Sequence, residues 1–361
     1  MKILHIHTSM TGGGIEAIIC ALLNELVGCH NVTLATIFAP KTSDVFENKL
    51  DKRIKRISLG KVNPGFSISE IFKIFRLIKT GDYEIVHIHG FFYYYALSVL
   101  LLHRKVKFFY TIHSDANMEN TTWDKRFLWL KKMCFSRKYI QPITISPASK
   151  ESFTQLYKTD SILICNGVLK PKITTIENPI EKYKITPSTK IFVHAGRINV
   201  AKNQVVLCKS FTRLINKGYD ATLLIAGGNH DNYIMQQLQP FFCERIVYLG
   251  ERTDIPTLFS FAEAMCLPSI WEGLPVTLLE SLAVGCIPIC SPVGGIVNVI
   301  THGYNGLLSN GSSEDCYYEV LEEYMKMAEE EREKMKKNCK ESFAPYDIKQ
   351  TVSKYELAYR N

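Results

Sequence analysis

The chain predicts an α/β protein made of two doubly wound halves, and three features of the sequence say so. Short β-rich runs ending in glycine are repeatedly followed by stretches with helical spacing. That strand, glycine turn, helix pattern begins at residue 1 and begins again near residue 190. The length of 361 residues, 46% of them hydrophobic, is long for one core and comfortable for two domains. Alternating β and α segments imply parallel sheets covered on both faces.

The elements follow in order. "MKILHIHTSM" is a first strand running into "TGGGIEAIICALLNEL", where Ile15, Ile18, Ile19, Leu22, Leu23 and Leu26 keep helical spacing. "NVTLATIF" is a second strand. "GFSISEIFKIFRLIKTGDYEIVHIHG" holds a helix and a third strand, with Ser67 and Glu70 at capping-box spacing. "KVKFFYTIHS", "YIQPITIS" and "SILICNGV" are further short strands separated by helical stretches. A polar, proline-containing stretch over 168–190 separates the halves.

The second half opens with the strand "KIFVHAGRI" and the helix "KNQVVLCKSFTRLINKG". "ATLLIAGG" and "RIVYLGER" are strands, and "DIPTLFSFAEA" is a short helix. "MCLPSIWEGLPVTLLESLAVGCIPICSPVGG" reads as strand, loop, helix, strand. The Glu/Lys-rich segment from Glu314 to Lys340 reads as one helix with a solvated face. The expected domains are 1–168 and 169–344, with a helix of about 345–361 returning to the first. Ligands of open α/β sheets bind at the carboxyl ends of strands, so two such domains facing each other would hold theirs in the cleft.

Composition narrows the function. The net charge of +8 is uneven: residues 1–165 carry 22 Lys+Arg against 13 Asp+Glu, and the remainder 21 against 22. The excess basicity of the first half points to an anionic partner, whether membrane phospholipid, a lipid diphosphate or nucleic acid. Eleven cysteines without a CxxC pair argue against a secreted disulfide framework and for reduced thiols in a cytoplasm. The longest uncharged apolar run, Phe91 to Leu102, is short of the ~18 residues a spanning helix needs. His5 and His7 interrupt the N-terminal apolar stretch, which is wrong for a signal peptide.

The segment "SIWEGLPVTLLESLAVGCIP" is nearly all apolar, yet carries Glu272 and Glu280 eight positions apart. Pro275 stands near the first helical position, where its missing N–H costs nothing. Glu272 therefore lies in the loop, and Glu280 one to two turns inside the helix. The amides of Gly273, Leu274, Val276 and Thr277 would point out of the helix N-terminus, which attracts phosphate. A carboxylate beside a phosphate is repelled unless it contacts something uncharged on the same ligand. Sugar hydroxyls meet that requirement, so two glutamates flanking a diphosphate site suit a nucleotide sugar.

On these residues the sequence resembles the retaining glycosyltransferases of family 4, which have the GT-B fold of two Rossmann-like domains. Glu272 and Glu280 match that family's Glu-x7-Glu motif, and the resemblance spans nearly the whole chain. It implies that Glu272 lies against the donor sugar and that Glu280 binds the ribose hydroxyls. "HAGRINVAKN" places Arg197 and Lys202 after a strand, and no DxD-type pair for Mg²⁺ accompanies them. Two fixed cations suit a leaving diphosphate, and the family uses an Arg and a Lys there. No cofactor or metal is expected.

Weaker signals join the same set. In "TGGGIE", Gly13 and Gly14 permit close approach of backbone to a phosphate or sugar. The absence of GxGxxG spacing and of an acid closing the second strand argues against NAD. By resemblance this loop lies near the donor phosphate and the acceptor, with Glu16 on the acceptor side. His113, ending "YTIH", matches a histidine that touches the donor sugar. Arg252 fits a position near the nucleotide base, and Asn166 fits another family position. "EGLPVT" departs from the commoner EGFG-type loop. His87 and His89 have alternate strand spacing without an apparent third metal ligand and read as structural.

The expected activity is transfer of a hexose or N-acetylhexosamine from a nucleotide diphosphate sugar to an acceptor hydroxyl. The acceptor would be a lipid-linked or growing saccharide of a surface polysaccharide, such as a polyprenyl-diphosphate-linked one. The same fold implies two alternatives, a sugar-nucleotide epimerase or phosphorylase, or a protein that only binds nucleotide sugars. The interleaving of Lys125, Arg126, Lys131, Lys132, Arg137 and Lys138 with Phe127, Trp129 and Phe135 fits an anionic membrane surface. Lys73, Arg76 and Lys79 on one helical face fit it too. The expected location is cytoplasmic and peripheral on the inner face of the membrane. No nucleic-acid module is present, so no nucleic-acid partner is expected.

Overall fold

The computed structural model describes residues 1–361 except 42, 43, 121, 174 and 176. The chain divides into two compact units. One comprises Met1–Val168 with Ile348–Asn361, the other Leu169–Asp347. Each is a parallel sheet with helices on it, as the sequence predicts.

The first unit contains β1 (Lys2–His7), α1 (Gly14–Leu26), β2 (Asn31–Phe38), β3 (Lys55–Lys61), α2 (Ile68–Thr80), β4 (Ile85–His89) and α3 (Ala96–Leu102). It continues with β5 (Lys107–Ile112), α4 (Thr122–Arg126), α5 (Leu128–Ser136), β6 (Gln141–Thr144), α6 (Pro147–Tyr157) and β7 (Ile162–Leu163). The strand order is β3-β2-β1-β4-β5-β6-β7. The order reverses between β1 and β4, which makes their carboxyl ends the switch point where such sheets bind ligands. The sheet has one core on each face: Ile74, Phe92, Tyr95, Phe135 and Phe153 lie in one. Ile19, Leu23, Phe109, Tyr355 and Tyr359 lie in the other.

The second unit contains β8 (Lys190–Ala195), α7 (Gln204–Asn216), β9 (Ala221–Ala226), α8 (Asn232–Leu238), β10 (Ile246–Gly250), α9 (Ile255–Phe261) and β11 (Ala264–Leu267). After these come α10 (Val276–Val284), β12 (Ile287–Cys290), β13 (Leu307–Leu308), α11 (Glu314–Lys326) and α12 (Glu329–Ser342). The order is β10-β9-β8-β11-β12-β13, with its switch point between β8 and β11. The last helix, α13 (Ile348–Arg360), belongs to the first unit, where it packs Tyr355 and Tyr359 against the sheet.

Four local expectations are corrected. β3 is an extra strand, so "EIVHIH" is the fourth; "KRISLGK" is a polar edge strand paired only to β2, and exposure hides its alternation. The segment Glu314–Lys340 is two helices, because Met327 and Ala328 are extended (ψ 141° and 153°). Ser67 is the N-cap of α2 but makes no capping bond to the backbone; its hydroxyl meets that of Ser69 at 3.1 Å. Lys131 and Phe135, read as part of a basic-aromatic surface, are buried. Lys131 Nζ donates to Tyr110 Oη at 3.2 Å and to Asn120 Oδ1 at 3.1 Å. All eleven cysteines are free, and no helix among the described residues is long and apolar enough to cross a membrane.

Candidate active site

In the second unit, two loops at the switch point are tied together. After β8 the chain passes Gly196 and Arg197. The Asn199 side chain then accepts the Lys202 N–H at 3.1 Å, closing a tight turn. Asn203 follows in the left-handed region (φ 54°), which its short polar side chain tolerates. Its amide donates to the carbonyls of Pro268 and Ser312, both at 3.1 Å. The Ile270 N–H donates to the Ala201 carbonyl at 2.8 Å. The loop before α10 is thereby fastened beside the Lys202 turn.

That fastening brings Lys202 and Glu272 together. Lys202 Nζ lies 2.5 Å from Glu272 Oε1, and the Ser269 hydroxyl donates to the same oxygen at 2.6 Å. An ammonium has three N–H donors, so two of those on Lys202 remain for another acceptor. Glu272 Oε2 has no hydrogen-bond partner among the described residues. Arg197 is exposed, and its carbonyl accepts from Gln204 Nε2 at 2.9 Å. Gln204 also meets His194 Nε2 at 3.2 Å, while His194 Nδ1 donates to the Cys266 carbonyl at 2.9 Å. Burial pushes His194 down to about 4, so it holds this bridge as a neutral ring.

α10 begins at Val276 with Pro275 as its N-cap. The first amides of a helix have no intrahelical acceptor, and those of Val276 and Thr277 open toward whatever lies at this end. The Thr277 hydroxyl is buried there without a partner. Gly273 and Leu274 lead into the helix, and Glu280 stands half-buried one turn inside it.

Sequence reasoning missed the glycines that set the loop backbones. A Cβ on Gly294 (φ +54°) would lie 1.9 Å from the Glu272 carbonyl oxygen, and the Gly295 N–H donates to the Gly273 carbonyl at 2.6 Å. A Cβ on Gly227 would lie 1.9 Å from the Gly196 carbonyl oxygen. The glycine pairs ending "SPVGG" and "ATLLIAGG" were the available signal. Arg252 makes a two-pronged ion pair with Asp254, at 2.9 and 2.6 Å.

In the first unit, Gly13 is the N-cap of α1. Glu16 is buried one turn in, with Oε1 3.5 Å from His7 Nε2 and 3.3 Å from the Thr11 hydroxyl. His113 follows β5; its N–H donates to Glu119 Oε2 at 3.0 Å, and burial pushes Glu119 up to about 7. Asn166 is buried. His87 and His89 have a third histidine beside them after all: His5, facing His87 across the β1–β4 register. Ring nitrogens of the three lie within 4.8 Å of one another. Both nitrogens of His87 already carry 2.6 Å hydrogen bonds, to Tyr359 Oη and Thr111 Oγ1, which a metal would have to displace.

Residues 175–342 match the family described as Glycosyl transferases group 1, and residues 12–168 match Glycosyltransferase Family 4. The chain belongs to the family 4, group 1 glycosyltransferases. Over 182 residues this glycosyltransferase-family chain is 29% identical to the N-acetyl-alpha-D-glucosaminyl L-malate synthase of Bacillus anthracis, covering 50% of this chain and 47% of that one. Over 199 residues it is 24% identical to the UDP-Gal:alpha-D-GlcNAc-diphosphoundecaprenol alpha-1,3-galactosyltransferase of Escherichia coli, covering 53% and 48%. The chain thus spans about half the length of these curated relatives. The crystal structure of the Anabaena protein HepE, in complex with UDP and glucose, superposes with a TM-score of 0.80 at 16% identity, covering 100% of this chain and 99% of that one. Solved structures of this kind establish the GT-B fold.

Proposed function

We propose that this family member transfers a hexose or N-acetylhexosamine from a nucleotide diphosphate sugar to an acceptor hydroxyl, with retention and without a metal. The observation that carries the reading is the Lys202–Glu272 pair fastened beside the α10 N-terminus, with Glu280 one turn further in. Arg197, Lys202 and the first amides of α10 would neutralise the leaving diphosphate. Glu272 Oε2 would accept from a donor-sugar hydroxyl, and Glu280 from the ribose. The acceptor oxygen attacks the anomeric carbon on the face that the diphosphate leaves. Its proton passes to a leaving phosphate oxygen. The E. coli relative is named for a UDP-galactose donor and a lipid-diphosphate acceptor, which favours a polyprenyl-diphosphate-linked saccharide as acceptor here.

Thermal melting of the purified protein with UDP, GDP, ADP or NAD, each in EDTA, tests the reading. A nucleotide at 100 times its Kd adds about 2.7 kcal/mol of stability. One nucleoside diphosphate is expected to raise the melting temperature without metal, and NAD is not. Stabilisation by NAD alone would refute the assignment, and binding without turnover toward any acceptor would favour a pure binding protein.

The proposal also places the protein on the inner face of the cytoplasmic membrane. Trp129, Leu101 and Phe72 are exposed at 67%, 60% and 60%, on α5, α3 and α2, with Arg76, Lys79, Lys125 and Arg126 also exposed. Exposed apolar side chains among cations suit an anionic bilayer. Co-flotation with phosphatidylglycerol vesicles but not with neutral ones is expected, and equal recovery with both would remove the membrane from the reading.

A further inference from the structure

The carboxyl half of the first unit's sheet carries a run of hydrogen-bonded rings that the proposed chemistry does not use. Tyr359 Oη, from α13, lies 2.6 Å from His87 Nδ1 and 3.3 Å from His5 Nε2. His5 Nδ1 lies 3.1 Å from His89 Nε2, and His89 Nδ1 lies 2.9 Å from His113 Nε2. His87 Nε2 lies 2.6 Å from Thr111 Oγ1. His113 Nδ1 ends the run, buried and without a partner.

A neutral imidazole carries one proton, so each ring is a donor on one nitrogen and an acceptor on the other. All four rings are neutral near pH 7, since burial pushes His5 and His113 down to about 3 and His87 and His89 well below the usual range. Two arrangements then give every one of these contacts one donor and one acceptor and use the Tyr359 O–H. In one, Tyr359 donates to His87, and His113 donates to His89, His89 to His5 and His5 to Tyr359. Every ring then carries its proton on Nε2. In the other, every bond reverses and every ring carries it on Nδ1, which leaves the buried His113 Nδ1–H without an acceptor. A mixture among His113, His89 and His5 sets two donors or two lone pairs face to face, and a mixture of His5 with His87 either does the same or leaves the Tyr359 O–H unpaired, a cost of about 1–3 kcal/mol.

The contacts of His87 select between the two. Both of its 2.6 Å contacts are short enough to suit a hydroxyl donor, and a neutral ring can accept only one. A phenol O–H is intrinsically a stronger hydrogen-bond donor than an aliphatic hydroxyl, and burial, which pushes Tyr359 well above the usual phenol range, keeps it protonated. Tyr359 therefore donates to His87 Nδ1, Thr111 accepts from His87 Nε2, and the rest follows.

We infer that His5, His87, His89 and His113 form one coupled tautomeric unit, set by Tyr359, with the lone pair of His113 held on Nδ1. His5 and His89 relay the setting of Tyr359 to His113. The unit also makes chemical use of the C-terminal helix, whose Tyr359 is 246 positions from His113 in sequence.

Two-bond ¹H–¹⁵N correlation spectra of the histidine-labelled full chain without ligand read each tautomer directly. All four rings are expected to carry the proton on Nε2. Tyr359→Phe, which keeps the ring and removes the hydroxyl, is expected to turn His113, two histidines away, from one tautomer into a mixture. A proton on Nδ1 of any one of the four in the unaltered protein would overturn the inference. An unchanged His113 in the folded Y359F protein would overturn it as well. Neither result depends on whether a nucleotide sugar binds, so failure here is distinct from failure of the proposed transferase activity.

Discussion

Acidification from pH 7 to about pH 5 is expected to unfold the first unit while the second stays folded. His5, His87, His89 and His113 are buried neutral in the fold, with pKa values held far below those they have in the unfolded chain. Below the unfolded value of about 6.5 the unfolded state binds protons that the folded state refuses, so stability falls as pH falls. Each such histidine contributes a slope of about 1.4 kcal/mol per pH unit. Glu119 acts in the opposite sense. With its folded value raised to about 7, its contribution is present at low pH and lost as pH rises, which cancels the slope of one histidine over this range. The net is about 4 kcal/mol per pH unit, against a typical domain stability of about 5–15 kcal/mol. The second unit has one such ring, His194, pushed down to about 4. Peptide-resolved hydrogen exchange as a function of pH separates the two units. Loss of protection in both at one pH, or in neither above pH 4, would contradict the account.

Replacing Lys202 by Ala is expected to lower turnover by about 10²–10³-fold, some 3–4 kcal/mol of lost transition-state stabilisation. The same loss is expected for Arg197→Ala. Charge accumulates on the diphosphate only as the glycosidic bond breaks, so the loss should appear in kcat as well as in kcat/KM. Lys202→Ala does a second thing, leaving Glu272 Oε1 with Ser269 as its one partner. Some stability should be lost in Lys202→Ala as well, because both side chains of the pair are mostly buried and the Glu272 carboxylate loses its cation, whereas the exposed Arg197 should change it little. Steady-state kinetics with a nucleotide sugar and acceptor, beside thermal melts of both variants, checks this. Full turnover in either variant would remove that side chain from the site.

The sequence by itself determined what depends on near neighbours in the chain. The periodicity of Ile15, Ile18, Ile19 and Leu22 places α1, and "NVTLATIF" is β2 residue for residue. Glu272 in a loop and Glu280 one turn into a helix follow from Pro275 and the apolar spacing behind it. Local signals failed where solvent masks the pattern, as at the edge strand β3, or where a helix breaks without Pro or Gly, as at Met327.

Only the tertiary structure decided which groups meet. Lys202 reaches Glu272 across 70 positions because parallel strands, joined by crossovers, bring distant loops to one edge of a sheet. The same geometry stacks His87 on His89 at 4.5 Å, sets His5 beside them, and lays Tyr359 of the last helix against His5 and His87. It also buries Lys131, whose neighbours in sequence read as a cationic surface. A side chain's charge state, tautomer and partners depend on what surrounds it in three dimensions, and in a parallel sheet those surroundings come from remote parts of the chain.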